Sequence, residues 1–359
     1  MKNSTETSRR AFLGKLAMTT IGVNAMFTKE LSAHTSLLDQ IETNHQFTLP
    51  MKDDKKFVPV MITPFQSDLK IDYKGLSKLV DFYQAAGVKG FFANCLSSEM
   101  YSLDAEERLA LVKHVVKQVN GAVPIVATGS FGNTIAERAE FTKKMFDTGV
   151  NAVILITSHF AEANESDAIL IQNLEQYLKL TGTIPLGTYE CPSPYKRILT
   201  PEVFRYLLST NRLVYHKDTT IDFDKIKVKL EMAKNSNLEF YDAHTPNTVN
   251  SLQHGARGIS CIAGNFYPEI FAWMCKNVNN ASQAENVSWL QSELTRADSI
   301  ISTNYPLSSK YFLNKRGVPI ELICRNNSNQ LTDAQKKQLD ATYNDLSVWH
   351  NRLGIKVQK

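Results

Sequence analysis

Eight apolar, β-branched-rich runs recur along the chain and constrain its fold more than any other feature. They lie at Phe57–Ile62, Gly90–Leu96, Pro124–Thr128, Ala152–Thr157, Ile184–Tyr189, Leu213–His216, Leu238–Tyr241 and Gly258–Ile262. Each is nearly continuous in its apolarity, as befits a strand buried on both faces. Between most of them lie segments of helical spacing: Leu76, Leu79, Val80 and Tyr83 form one stripe, and Leu109, Leu111, Val112, Val115 and Val116 another. Glycines such as Gly87 and Gly149 mark helix ends just before the next run. Strands alternating with helices imply a parallel sheet covered on both sides, and eight is the number that closes a barrel. An open doubly wound sheet would carry a glycine-rich phosphate loop after its first strand; Thr63-Pro64-Phe65 stands there instead. The expected fold is therefore α/β, a (β/α)8 TIM barrel over residues 56–266 with a C-terminal three-helix appendage in 267–359. Its helical segments fall near 268–278, 281–302 and 332–352.

The N-terminus reads as an address. Ser8-Arg9-Arg10-Ala11-Phe12-Leu13 has the twin-arginine pattern, a weakly apolar stretch follows, and Ala25 or Ala33 suits cleavage. Residues 1–33 are expected to be a signal peptide and 34–55 a linker, giving a periplasmic protein. Lys15 and Lys29 interrupt the apolar stretch, so it is too short to span a membrane, and no cysteine near the cleavage sites offers a lipid anchor. Removing five basic and two acidic residues from a chain of net charge +4 leaves about +1. Nothing in that balance calls for nucleic acid or an anionic membrane. The five cysteines form no CxxC pair, and no His/Asp/Glu cluster has ligand spacing, so free thiols and no metal are expected.

In a barrel of this kind the chemistry sits where strands end. Lys217 closes the sixth run, where an apolar mouth would desolvate its amine, lower its pKa and free it to attack a carbonyl. That points to Schiff-base chemistry on a 2-oxo acid; the bland alternative is a strand-end lysine reaching solvent. His216 should face away from the pocket, because neighbouring strand residues point oppositely.

The strand-end residues also carry a resemblance. Val58-Pro59-Val60-Met61-Ile62-Thr63-Pro64-Phe65, Ser97-Ser98-Glu99 with Leu103 and Glu106-Glu107-Arg108, Tyr189-Glu190-Cys191-Pro192, and Lys217-Asp218 occur in one order. Over roughly residues 56–320 the chain resembles the dihydrodipicolinate synthase / N-acetylneuraminate lyase family of pyruvate-dependent class I aldolases. The resemblance implies Lys217 as the imine-forming residue, Tyr189 as proton shuttle, and Ser97 and Ser98 in the segment that holds the pyruvate carboxylate. It implies no cofactor beyond the covalent imine, and a homotetramer or homodimer.

Departures from the family pattern narrow the reading. Leu96 replaces the first relay hydroxyl, and Phe160 stands where many members lend a tyrosine across the subunit interface. His159 beside it is a possible substitute, with a surface or interface histidine as the plainer alternative. Pro194 occupies the place of the arginine with which synthase members read the carboxylate of aspartate semialdehyde, and an exported enzyme would be misplaced for lysine biosynthesis in the cytoplasm, so dihydrodipicolinate synthesis is not favoured. Asp242, His244 and Thr245 follow the seventh run, where sugar-acid lyases hold a polyol tail. The expected function is aldolase-type cleavage or formation of a 2-oxo acid, a 2-oxo-3-deoxy sugar acid first, giving pyruvate and an aldehyde. A Schiff-base sugar-acid dehydratase and a non-catalytic periplasmic binding protein on a degenerate barrel remain the alternatives.

Overall fold

A computed structural model describes residues 54–326 and 329–356. The signal-peptide and most of the linker expectations fall on residues outside that range. Eight parallel strands form one sheet: β1 (Lys56–Phe57), β2 (Phe91–Phe92), β3 (Ile125–Thr128), β4 (Ala152–Ile156), β5 (Leu186–Tyr189), β6 (Leu213–Asp218), β7 (Glu239–Asp242) and β8 (Gly258–Ile259). Their order is β1-β8-β7-β6-β5-β4-β3-β2. The ring closes just beyond β1, where Val60 bridges Phe92 in parallel. There Met61 N–H donates to Phe92 O (3.1 Å) and Phe92 N–H to Pro59 O (3.0 Å).

One helix follows each strand. They are α1 (Tyr73–Ala85), α2 (Ala105–Val119), α3 (Ile135–Phe146), α4 (Asp167–Leu180), α5 (Pro201–Ser209), α6 (Phe223–Ala233), α7 (Thr248–Gln253) and α8 (Pro268–Asn277). Their starts are chemically marked. Asp104 and Thr134 cap α2 and α3, each in a reciprocal box with a glutamate three residues on (Glu107, Glu137). The apolar stripes turn inward: Leu76, Leu79, Val80 and Tyr83 of α1 are all buried. Two cores result. Phe92, Val126, Ile154, Tyr189, Tyr215 and Tyr241 fill the barrel interior, while a larger layer packs between sheet and helices.

Among the described residues, three helices lie beyond the barrel: α9 (Ala284–Ser302), α10 (Leu307–Lys315) and α11 (Asp333–Leu353). Three were expected, but not this set. The segment near 268–278 is the barrel's own eighth helix: α8 packs on β1 and β8, with Phe271 stacked on Phe57 at 5.1 Å. Helix α10 takes the vacated place in the appendage. It was unforeseen because it has only nine residues and opens at Pro306 without a side-chain cap. Among the described residues, no helix is long and apolar enough to cross a membrane.

Candidate active site

Parallel register brings the two principal side chains together. Tyr189 at the end of β5 is the register partner of Lys217 on β6, so both point into the lumen. The Lys217 ammonium nitrogen lies 4.4 Å from the centre of the Tyr189 ring and 5.7 Å from that of Phe92. Both residues line a cavity of about 450 Å³ at the C-terminal mouth of the barrel. That volume suits a small metabolite.

Among the described residues four lysines are buried: Lys56, Lys217, Lys229 and Lys310. Three of them sit beside carboxylates. Lys56 reaches Glu239 (2.6 Å), Lys229 reaches Asp218 (2.7 Å) and Glu190, and Lys310 reaches Glu99 (3.0 Å). Lys217 has no carboxylate within ion-pair distance among the described residues. Its amine pKa is therefore pushed down, chiefly by desolvation, although nearby Cys95, Cys191 and Cys261 act weakly the other way. That shift moves Lys217 toward the neutral amine whose lone pair attack on a ketone requires. Tyr189 is driven the opposite way, well above a phenol's usual pKa, again mainly by desolvation. It stays protonated at neutral pH and can donate.

The other residues singled out in the sequence divide. Ser97, His244 and Thr245 line the cavity; Ser98 and Asp242 do not. Ser98 turns its hydroxyl into the backbone, donating to Met61 O (2.7 Å) and accepting from Cys95 N–H (3.1 Å), which shapes the turn that presents Ser97. Asp242 lies behind β7, accepting from the Ser251 hydroxyl and from His244 N–H (2.8 Å). Neither reaches the cavity wall, so their part in the site is to support its neighbours. Burial raises the Asp242 carboxyl to about 7. Its folded pKa thus exceeds the unfolded value, and its contribution to stability is complete below pH 4 and lost as pH rises through 7. Asp242→Asn should remove that decline, as urea denaturation across pH 4.5–8 would read; an unchanged slope would assign the titration elsewhere.

Outward-facing neighbours form a second layer. His216 faces away from the lumen, as expected, hydrogen-bonded to Thr188 (2.8 Å) and packed on Phe204 and Phe240. Glu190, His216 and Asp218 offer ligand atoms within 4.8 Å of one another, a grouping invisible as sequence spacing. The Lys229 ammonium already occupies it. Desolvation disfavours that charge, but Glu190 and then Asp218 outweigh it and raise the amine's pKa. Lys229 left a signal in the sequence: it stands on the apolar face of α6 with Ile226, Leu230 and Ala233.

Phe160 is buried edge-on against Tyr177 (4.9 Å), as part of the layer between sheet and helices. His159 is held by Ser130 and by the Tyr101 hydroxyl (3.1 Å), outside the cavity lining. Desolvation lowers its pKa to about 4. All five cysteines are unpaired, four of them buried.

Sequence reasoning missed one wall of the cavity entirely. Asp298, Tyr305, Pro306 and Asn326 line it, and all come from the C-terminal appendage. Glu99 fastens that wall. Held in the left-handed region (φ 57°), its carboxylate accepts from Lys310 (3.0 Å) and from the N–H groups of Arg325 (2.6 Å) and Asn326 (3.0 Å). No periodicity announces such contacts, because they join residues more than 200 positions apart.

The model of the dihydrodipicolinate synthetase family matches residues 53–346. The 4-hydroxy-tetrahydrodipicolinate synthase of Bacillus subtilis is 26% identical over 290 residues, covering 80% of this chain and 97% of the relative. That of Saccharophagus degradans is 29% identical over 216 residues, covering 60% and 72%. Among solved structures, the prophage protein YagE of E. coli K12, in complex with pyruvate, superposes with a TM-score of 0.74 at 22% identity. That match covers 82% of this chain and 98% of YagE. The expectation against dihydrodipicolinate synthesis does not stand, since the family model and the curated relatives are synthases by name. It leaned on Pro194, an exposed residue outside the cavity lining, and on the expectation of export, which rests on residues outside the described range. General lysine-imine aldol chemistry is supported, and the chain belongs to the dihydrodipicolinate synthetase family.

Proposed function

We propose that this protein joins pyruvate to an aldehyde, or runs the reverse cleavage, through an imine on Lys217. The observation that carries the reading is the contrast among the buried lysines. Lys217 alone combines a lumen position, a place beside Tyr189 in a cavity, and no carboxylate partner among the described residues. The neutral amine attacks the ketone carbon, Tyr189 moves protons between nitrogen and oxygen, and water leaves as the C=N bond forms. Once protonated, the imine draws electrons from the adjacent methyl carbon as that carbon gives up a proton; the resulting enamine adds to the aldehyde carbon, the aldehyde oxygen takes up a proton, and water hydrolyses the imine to free Lys217. Ser97 stands where the carboxylate would be held. Family membership makes the relatives' synthase reaction the first choice of acceptor chemistry.

A second choice rests on the far wall. Asp298, His244, Thr245 and Asn326 line the cavity there, a set of hydrogen-bonding groups suited to hydroxyls. That favours a 2-oxo-3-deoxy sugar acid as a cleavage substrate.

Borohydride reduction in the presence of pyruvate tests the shared step. A pyruvate adduct mapped to Lys217 by peptide mass spectrometry, absent in Lys217→Ala, is the expected result. A folded protein that traps nothing would sink the imine reading. Pyruvate consumption with aspartate semialdehyde, set against pyruvate release from 2-oxo-3-deoxy sugar acids, then separates the two acceptors.

A further inference from the structure

Imine formation takes a proton from nitrogen and delivers one to the departing oxygen, and the side chain next to Ser97 on the cavity wall is Leu96, which has no hydroxyl. The appendage brings one. Tyr305, between α9 and α10, lines the same cavity as Lys217, Tyr189 and Ser97. Its hydrogen bonding has a direction. Asn265 donates one amide hydrogen to Val60 O (2.9 Å) and another to the Tyr305 oxygen (2.6 Å), while its own oxygen accepts from Tyr83. A flipped amide would set its oxygen against the Val60 carbonyl, so the NH2 must face Tyr305. The phenol oxygen is thus an acceptor there, and its own proton is left for another partner.

We infer that Tyr305 is a catalytic residue contributed by the C-terminal appendage, donating the proton that expels water during imine formation at Lys217. The inference rests on the Lys217 reading. In the carbinolamine, the C–O bond breaks as the nitrogen lone pair closes the C=N bond. The Tyr305 proton, passed directly or through Ser97, turns the departing hydroxyl into water. The iminium N–H returns a proton to the phenolate when the neutral imine forms, so the residue is restored. Ser97 lines the same cavity as the phenol. Desolvation, the larger influence, holds the phenol well above its usual pKa, so its proton is present at neutral pH. Asn265 can stabilise the transient phenolate by the hydrogen bond it already makes.

The experiment is single-turnover borohydride trapping with pyruvate on wild type, Tyr305→Phe, Lys217→Ala and the double variant Leu96→Thr/Tyr305→Phe. Phenylalanine keeps the ring that packs near Phe266, and an unchanged thermal midpoint confirms the fold. The expected result is a rate of adduct formation lowered about 100-fold, with half-saturating pyruvate within about threefold of wild type. Leu96→Thr restores a hydroxyl on the neighbouring wall and should recover at least about tenfold of the loss. Tyr305→Phe trapping at the wild-type rate, or changing only half-saturation, would overturn the inference while leaving Lys217 in place. A double variant as slow as Tyr305→Phe would also overturn it. No adduct in wild type would instead remove the Lys217 reading itself.

Discussion

Lys217→Met is expected to abolish turnover while leaving the protein at least as stable as wild type. Removing a covalent nucleophile costs on the order of 10⁴-fold or more in rate. Methionine matches the length of the lysine stem and suits the aromatic faces of Tyr189 and Phe92 that now surround the amine. The stability side follows from linkage. Burial holds the folded pKa below 10.5, so the unfolded chain binds more protons between the two values. Wild-type stability therefore rises with pH across that window and levels off above 10.5. The advantage of methionine should be greatest at low pH and shrink as pH climbs, as urea titrations at pH 6.5, 8 and 9.5 would show. A variant clearly less stable than wild type at pH 6.5 would mean the amine is not a desolvated burden.

Lys229→Met should do the reverse, unfolding the protein readily without touching a ligand. The ammonium neutralises two fully buried carboxylates, Glu190 and Asp218. Those carboxylates also hold backbone: Glu190 accepts from Leu199 N–H (2.9 Å) and Thr219 N–H (3.1 Å), and Asp218 from Thr220 N–H (2.6 Å). Breaking a buried ion pair from one side costs about 3–5 kcal/mol. The loss should appear in equilibrium denaturation, and it should be partly recovered by Glu190→Gln in the same chain. A loss below roughly 1 kcal/mol, within the range of an exposed pair, would show that water reaches the cluster. Since Glu190 follows Tyr189 and Asp218 follows Lys217, variants that survive should also misplace the reacting groups.

These two lysines show what the sequence makes legible. Lys217 stood at the end of a continuous apolar run, where strand period alone decides which way a side chain points. Lys229 was equally visible, an ion on the apolar stripe of α6, but its partners come from two strand ends and no spacing rule joins them. The barrel was readable because its signal repeats: eight buried runs, each followed by a helix. Ser98 was misjudged because type and position suggested a ligand contact, whereas a hydroxyl beside a turn can bond the backbone instead. Asp242 was expected among the polyol-binding residues after the seventh run, but it is the last residue of β7 itself and accepts from Ser251 behind the strand. Tyr305, Asp298 and Asn326 lie outside the barrel repeat, and their place at the cavity follows only from how the appendage folds back.

That fold-back has a consequence for how the chain is made. Lys217 and Asn326 are 109 residues apart in sequence, and translation adds ~5–20 residues per second. The ribosome therefore releases the nucleophile roughly 5–20 s before the last part of its enclosure. During that interval the Lys217 cavity lacks the wall formed by Asp298, Tyr305, Pro306 and Asn326. The cavity around Lys217 is thus completed late, when Glu99 receives Arg325 and Asn326, so on the imine reading proposed above the site is assembled only as synthesis nears its end.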